Sequence, residues 1–200
     1  MKNQNQISKF SVLKLFISFT PLLLMLVITA CDNAKTNKDT KEVAEEQNDA
    51  KFNNAKEEDA EFMVNAAEIS LEEIQLGQLA QTRGSASHVK DLGKMMVTEH
   101  QKALAELQVL ASAKQITIPT TLTDDGKETY NNLMNTKASS FDKEYADIMV
   151  NGHKDAISAF EEASTDAKDP DIRNWALSTL PSLRQHLDMS ITCQKKCEKI

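Results

Sequence analysis

Apolar residues recur at steps of three and four along the chain from Asp59 onward, and that spacing predicts helices. The first run is Phe62, Ala66, Ile69, Glu73, Leu76, Ala80 and Arg83. It stops at Arg83-Gly84-Ser85, a helix end followed by a new N-cap candidate. The second reads Val89, Leu92, Met96, His100, Ala103, Leu107 and Leu110, and ends near Lys114. A loop from Ile116 to Leu122 contains Pro119. Asp124 or Asp125 then opens a short helix that buries Tyr130, Leu133 and Met134. Ser139 and Ser140 are cap candidates for the run Phe141, Tyr145, Met149, His153, Ala156, Phe160, Ala163. Asp169-Pro170-Asp171 is a helix start, with Asp at the cap and Pro at the first position. The last run is Ile172, Ala176, Leu180, Leu183 and His186 or Leu187. No segment alternates as a strand does, and glycine is scarce, at 5 residues. The fold class is therefore all-α: four long helices and one short one in an antiparallel bundle. Mostly short links predict an up-down-up-down order.

Three of the 4 histidines fall on these apolar stripes, where a hydrophobic residue is expected. His100, His153 and His186 each sit on a different helix, and Glu73 takes the equivalent place on another. Measured from their turns, Glu73 and His100 differ in depth by roughly one helical turn, as do His153 and His186. Packed stripes would bring the four together. Imidazole and carboxylate suit zinc, copper, iron or manganese. Glu99, Asp142 and Tyr145 are candidates for supporting hydrogen bonds. Met96, Met149 and Met189 each lie one turn from a histidine, which leans toward copper; methionine at that spacing is also ordinary core filling. The structural alternative is a set of core imidazoles with protein partners. A proton-sensing cluster is a further option. His88 reads as a cap-region residue with no assigned role. Pro181 predicts a kink in the last helix that aims His186. Gly77, Gly93 and Gly152 are interior helix glycines, which suggests close helix approach or room for a ligand.

The N-terminus reads as an export signal. Lys2, Lys9 and Lys14 precede an apolar stretch from Leu15 to Ile28, and Ile28-Thr29-Ala30-Cys31 places small residues before a cysteine. That is the pattern of a lipoprotein signal, with cleavage before Cys31 and acylation of Cys31. Several acyl chains anchor stably to a bilayer. The expected organisation is a signal peptide over 1–30, a lipidated, flexible polar tether over 31–58 and a helical domain over 59–200. The tether is too polar to offset ordering entropy, although Thr40 to Gln47 has some helical character. The expected location is the bacterial cell envelope, lipid-anchored and facing the periplasm, on the inner or outer membrane. Cys193 and Cys197 remain; they can bridge, bind a soft metal or stay free, and a disulfide that frays the last turn is the expectation. The net charge of −7 argues against a nucleic-acid partner.

Taken as a set, several segments resemble one family. They are Phe62, Glu73 to Ala80, Met96 to His100, Phe141 to Tyr145, Met149 to His153 and Leu180 to Leu187. Together they resemble the family called domain of unknown function 4142, predicted bacterial envelope proteins assigned to the ferritin-like superfamily. The likeness covers about residues 59 to 192. Glu99 departs from the Asp usual there but keeps the carboxylate. The resemblance implies a ferritin-like bundle and no particular chemistry. Di-iron sites of that fold use Glu-x-x-His, whereas Ser85, Val97, Val150 and Leu183 stand three residues before the histidines. Three functions compete: a metal- or ligand-binding envelope protein, a non-catalytic interaction protein with structural histidines, and an enzyme. The last is disfavoured, because no nucleophile pair or phosphate loop is visible.

Overall fold

Two helical hairpins make the bundle. The computed structural model describes residues 38–198 apart from Asn53. The helices are α1 (Thr40–Asp49), α2 (Asn54–Arg83), α3 (Ser87–Lys114), α4 (Asp124–Asn135), α5 (Ala138–Asp166) and α6 (Pro170–Cys197). No strand occurs among the described residues. The helix α2 pairs chiefly with α3, and α5 with α6; the hairpins then meet along α2–α5 and α3–α6. No helix among the described residues is long and apolar enough to cross a membrane.

The chain order differs from the up-down-up-down expectation. The start of α5 lies at the α2–α3 turn: Asp142 accepts hydrogen bonds from the backbone N–H groups of Ser85 and Ala86, each at 2.9 Å. Arg83, at the end of α2, lies over the Phe141 ring and donates to the Thr136 carbonyl at 3.0 Å. The start of α6 lies at the far end, where Lys114 of α3 pairs with Asp169 at 2.7 Å and Asp171 at 2.6 Å. Hence α3 and α5 run the same way, and the order is up-down-down-up. The segment 115–137, with α4 inside it, crosses the length of the bundle. A short turn would have forced antiparallel neighbours; this link is long enough to return to the starting end.

Both hairpin turns are closed by the other hairpin. Asp59, on α2, accepts from the backbone N–H groups of Lys168 and Asp169 at 2.7 Å each. Asp142, on α5, does the same for the α2–α3 turn and takes the Ser85 hydroxyl at 2.5 Å as well. This is why Ser85 does not cap α3, whose cap position is Ala86 with no side-chain bond. Likewise α5 begins before Ser139 and Ser140, with Lys137 at its cap. Asp169 caps α6 as expected, accepting from Asp171 N–H at 2.8 Å with Pro170 at the first position. The helix α6 runs through Pro181 without interruption. The carbonyl deprived of its partner belongs to the exposed Leu177.

The ordered domain starts earlier than residue 59. The helix α1 packs on α2, burying Ala44 and Asn48. The Asn48 side chain bonds both backbone groups of Thr117 at 2.8 Å, and Lys41 pairs with Glu68 at 2.7 Å. Polar composition concealed this, because α1 is held by hydrogen bonds as much as by apolar area. The expected signal peptide and Cys31 lie outside the described residues.

Two glycines set the closest helix approach. A Cβ on Gly93 would lie 2.6 Å from the Gly77 carbonyl oxygen, and one on Gly77 would lie 2.7 Å from that of Gly93. Backbone cannot swing away as a side chain does. Overpacking of about 3 kcal/mol outweighs the ~1 kcal/mol that alanine gains in helix propensity. Gly93→Ala should therefore lose about 2 kcal/mol in a urea titration. A neutral result would contradict the close crossing.

Candidate metal centre

A polar layer divides the apolar core in two. One cluster holds Met63, Leu104, Leu107, Phe160, Ile172 and Leu183 among others. The other holds Leu76, Val89, Met96, Phe141, Tyr145 and Met149. Between them lie His100 on α3, His153 on α5, His186 on α6 and Glu73 on α2, all buried. The α6 register is decided for His186; Leu187 is only half-buried.

The three imidazoles converge. Their ring centroids lie 5.4–5.6 Å apart. One nitrogen from each falls within 4.8 Å of the others. The tautomer of His153 follows from its neighbours: Nδ1 is 2.8 Å from the Met149 carbonyl oxygen, an acceptor only, so Nδ1 carries the proton. The Nε2 lone pair of His153 is left free and buried without a partner. Both nitrogens of His100 and Nδ1 of His186 are also buried and unpartnered.

Glu73 belongs to the layer but not to the ring of three donors. Its Oε1 stands 3.6 Å from His153 Nδ1, behind the imidazole, and its Oε2 has no partner. Gly152 faces this carboxyl: a Cβ there would lie 3.4 Å from Oε1, in contact with it. Tyr145, in the apolar cluster on the side toward the α2–α3 turn, turns an unpartnered hydroxyl into the protein interior. Burial first, and then the Glu73 charge, holds that phenol well above its usual range.

The three imidazoles of the layer carry no charge at neutral pH. Burial, and then the other two imidazoles, holds His100 well below its ordinary value. Burial lowers His153 to about 4, against the Met149 hydrogen bond, which raises it. Burial also lowers His186. Glu73 moves the other way, well above the carboxylate range, through burial and then the neighbouring Glu72 charge. The result is three neutral bases converging on one point, with a carboxyl beside His153 that holds its proton above the ordinary carboxylate range.

A cleft of about 290 Å³ reaches the layer from outside between α3 and α6. His100 and His186 form its floor, with Glu99, Glu106 and Trp175 on its walls. Glu99 is thus at the cleft, beside His100 in sequence. Asp142 is not beside the imidazoles: it lies eleven residues, or roughly 16 Å, before His153 along α5 and serves the α2–α3 turn. The methionines do not complete a thioether site. Met96 and Met149 fill the apolar cluster, and Met189 is 40% exposed.

The expected Cys193–Cys197 disulfide is absent; both thiols are free. The helix α6 continues to Cys197. Residues four apart on a helix hold their Cβ atoms about 5–6 Å apart, and a disulfide needs about 3.8 Å. His88, given no role from the sequence, lies against both cysteines. The signal for it was topological: the start of α3 and the end of α6 share one end of the bundle.

Fold and site together define a crossover four-helix bundle with a buried layer of three imidazoles and one carboxyl. The chain belongs to the DUF4142 family, a domain of unknown function, whose profile matches residues 33–192. The match includes α1, in keeping with its packing on α2. No curated protein and no solved structure matches the chain.

Proposed function

We propose that this protein is a lipid-anchored envelope protein that holds one transition-metal ion between His100, His153 and His186. The observation that carries the reading is the set of four unpartnered buried nitrogens on three converging imidazoles. Buried polar atoms nearly always have partners, so a cluster of orphans around one point calls for a bound group. A structural role for the histidines would require the partners that are missing here. One cation partners three of them at once, one nitrogen from each ring. It also reverses the electrostatics of the layer, since its charge favours the ionised form of Glu73. That carboxylate then faces the Nδ1 side of His153, the position from which second ligands commonly orient a metal-bound imidazole. Three imidazoles with no carboxylate among the converging donors favour zinc or copper over manganese.

The one-crossover order supports a ferritin-like assignment, since ferritin-like folds also have a single long crossover. Glu-x-x-His pairs are missing from the site, which favours holding metal over oxygen chemistry. Metal buffering or protection against metal stress is the corresponding role. Anchoring rests on the apolar stretch before Cys31 and on the residues around it.

The test is elemental analysis of the full chain carrying Cys193→Ser and Cys197→Ser, purified without a metal-binding tag. About one zinc or copper per chain is expected, and His100→Gln should remove it. No retained metal, with no affinity for either added ion, would overturn the reading.

A further inference from the structure

We propose that His88, Cys193 and Cys197 form a second metal site, selective for a soft closed-shell cation such as zinc(II) or copper(I). It is separate from the histidine layer. His88 and His100 are twelve residues apart on α3, roughly 18 Å along the helix.

Three donors meet where the first turn of α3 abuts the last two turns of α6. The Sγ atoms of Cys193 and Cys197 and one nitrogen of His88 all lie within 4.8 Å of one another. His88 Nε2 is 3.5 Å from Cys197 Sγ. Zinc binds thiolate at about 2.3 Å and imidazole at about 2.0 Å, so donors on one tetrahedral ion stand roughly 3.5–4 Å apart. The His88–Cys197 spacing already matches, and the other donor pairs lie within 4.8 Å. Cys193 is 4% exposed and Cys197 follows it by one helical turn, so one face of α6 presents both sulfurs. Half-buried His88 leaves a solvent side through which an ion can arrive.

The surroundings favour a cation. The site lies at the C-terminal end of α6, where the helix dipole is negative. Asp142 is close enough for its charge to act on both thiols. Its carboxylate remains committed to Ser85 and Ala86, so it contributes field and no ligand. Burial pushes the Cys193 thiol up to about 12, and raises that of Cys197, so both carry protons at neutral pH without metal. Binding forms two metal–sulfur bonds and breaks two S–H bonds, and both protons leave to solvent. No oxidant or reductant takes part. Paired thiolates select zinc and copper(I) over manganese or magnesium.

Cobalt(II) is the probe, because thiolate ligation gives a charge-transfer band in the near ultraviolet that imidazole and carboxylate do not. The full chain with Cys31→Ser is titrated with cobalt(II) under anaerobic, reducing conditions. The expected result is the band at one equivalent per chain, bleached by zinc(II) or by copper(I). Cys197→Ser and, separately, His88→Gln should weaken cobalt binding at least tenfold. His100→Gln should leave the band unchanged, which separates this site from the histidine layer. Cys197 and His88 are half-buried, so these variants keep the fold, and circular dichroism verifies it. No band, or a band that persists undiminished in Cys197→Ser, would overturn the proposal.

Discussion

Zinc(II) or copper(II) at a hundredfold excess over its dissociation constant should raise the melting temperature of the Cys193→Ser, Cys197→Ser protein by roughly 5–10 °C. The size follows from linkage: a ligand at that excess, bound only by the native state, adds about 2.7 kcal/mol. For a domain of this size each kcal/mol is worth roughly 2–4 °C. His100→Gln should abolish the shift and leave the metal-free protein close to its original stability, since the amide is polar and of similar bulk. His153→Ala should also abolish it, and should further destabilise the metal-free form by opening a cavity in a fully buried layer. The two variants thus separate loss of the ion from loss of packing. If neither ion moves the melting temperature of the parent, the three imidazoles are not a metal site.

The metal-free protein should be most stable near pH 6.5 and should weaken steeply toward pH 4. The sign follows from proton counting. In the unfolded chain the histidines titrate near 6.5, and in the native layer all three are lowered. Between pH 6.5 and the native values the unfolded state binds more protons, so stability falls as pH falls. With the native value at about 4, His153 alone accounts for about 3 kcal/mol across that window. His100 and His186 add losses of the same sign. Glu73 has the opposite sign. Its native carboxyl keeps a proton well above 4.5, while the unfolded chain ionises there. Its contribution is therefore lost as pH rises from the ordinary carboxylate value through the raised one. Below pH 6.5 three imidazoles outweigh one carboxyl; above it the contribution of the imidazoles is complete, and Glu73 still opposes folding. Glu73→Gln should accordingly stabilise the metal-free protein at pH 7.5 and flatten the alkaline side of the profile. Urea midpoints of both proteins, with chelator present, from pH 4 to 8.5 provide the check. A flat parent profile would show that the layer is hydrated or already charged. Adding metal should shift loss of stability to lower pH only where the ion is still bound, because protons and cation compete for the same nitrogens.

Much of this was legible in the sequence, and the limits have physical causes. The long helices were readable because their buried faces are continuous: every residue expected inside along α5, from Phe141 to Ala163, is buried. The stripe on α2 was drawn too narrow. Met63, Ala67 and Leu79 are also buried in the bundle core, and Val64 is buried on the side of α2 that α1 covers. Distances to the turns placed Glu73 within about one turn of His100, and His153 within about one turn of His186, but the common depth of the two pairs was not readable, because it depends on how the hairpins align. Whether α5 runs with or against α3 was not readable either, because the length of the 115–137 link does not say where it lands. The position of Glu73 behind His153, and not among the donors, depends on side-chain rotation. The service of Asp142 to Ser85 and Ala86 is a contact between residues more than fifty apart. No local pattern announces such a contact.

The reciprocal aspartates work as end-stops. Asp59 and Asp142 belong to different hairpins and engage at opposite ends of the bundle. A slide of one hairpin against the other by a single turn, 5.4 Å, would break four backbone hydrogen bonds at once. The same slide would carry His100 on one hairpin out of reach of His153 and His186 on the other, since a metal–nitrogen bond spans only about 2.0–2.1 Å. The bundle interior therefore need not spend specificity on its own alignment. Its gauge is set at the two rims, which leaves the middle layer free to carry groups chosen for what they hold.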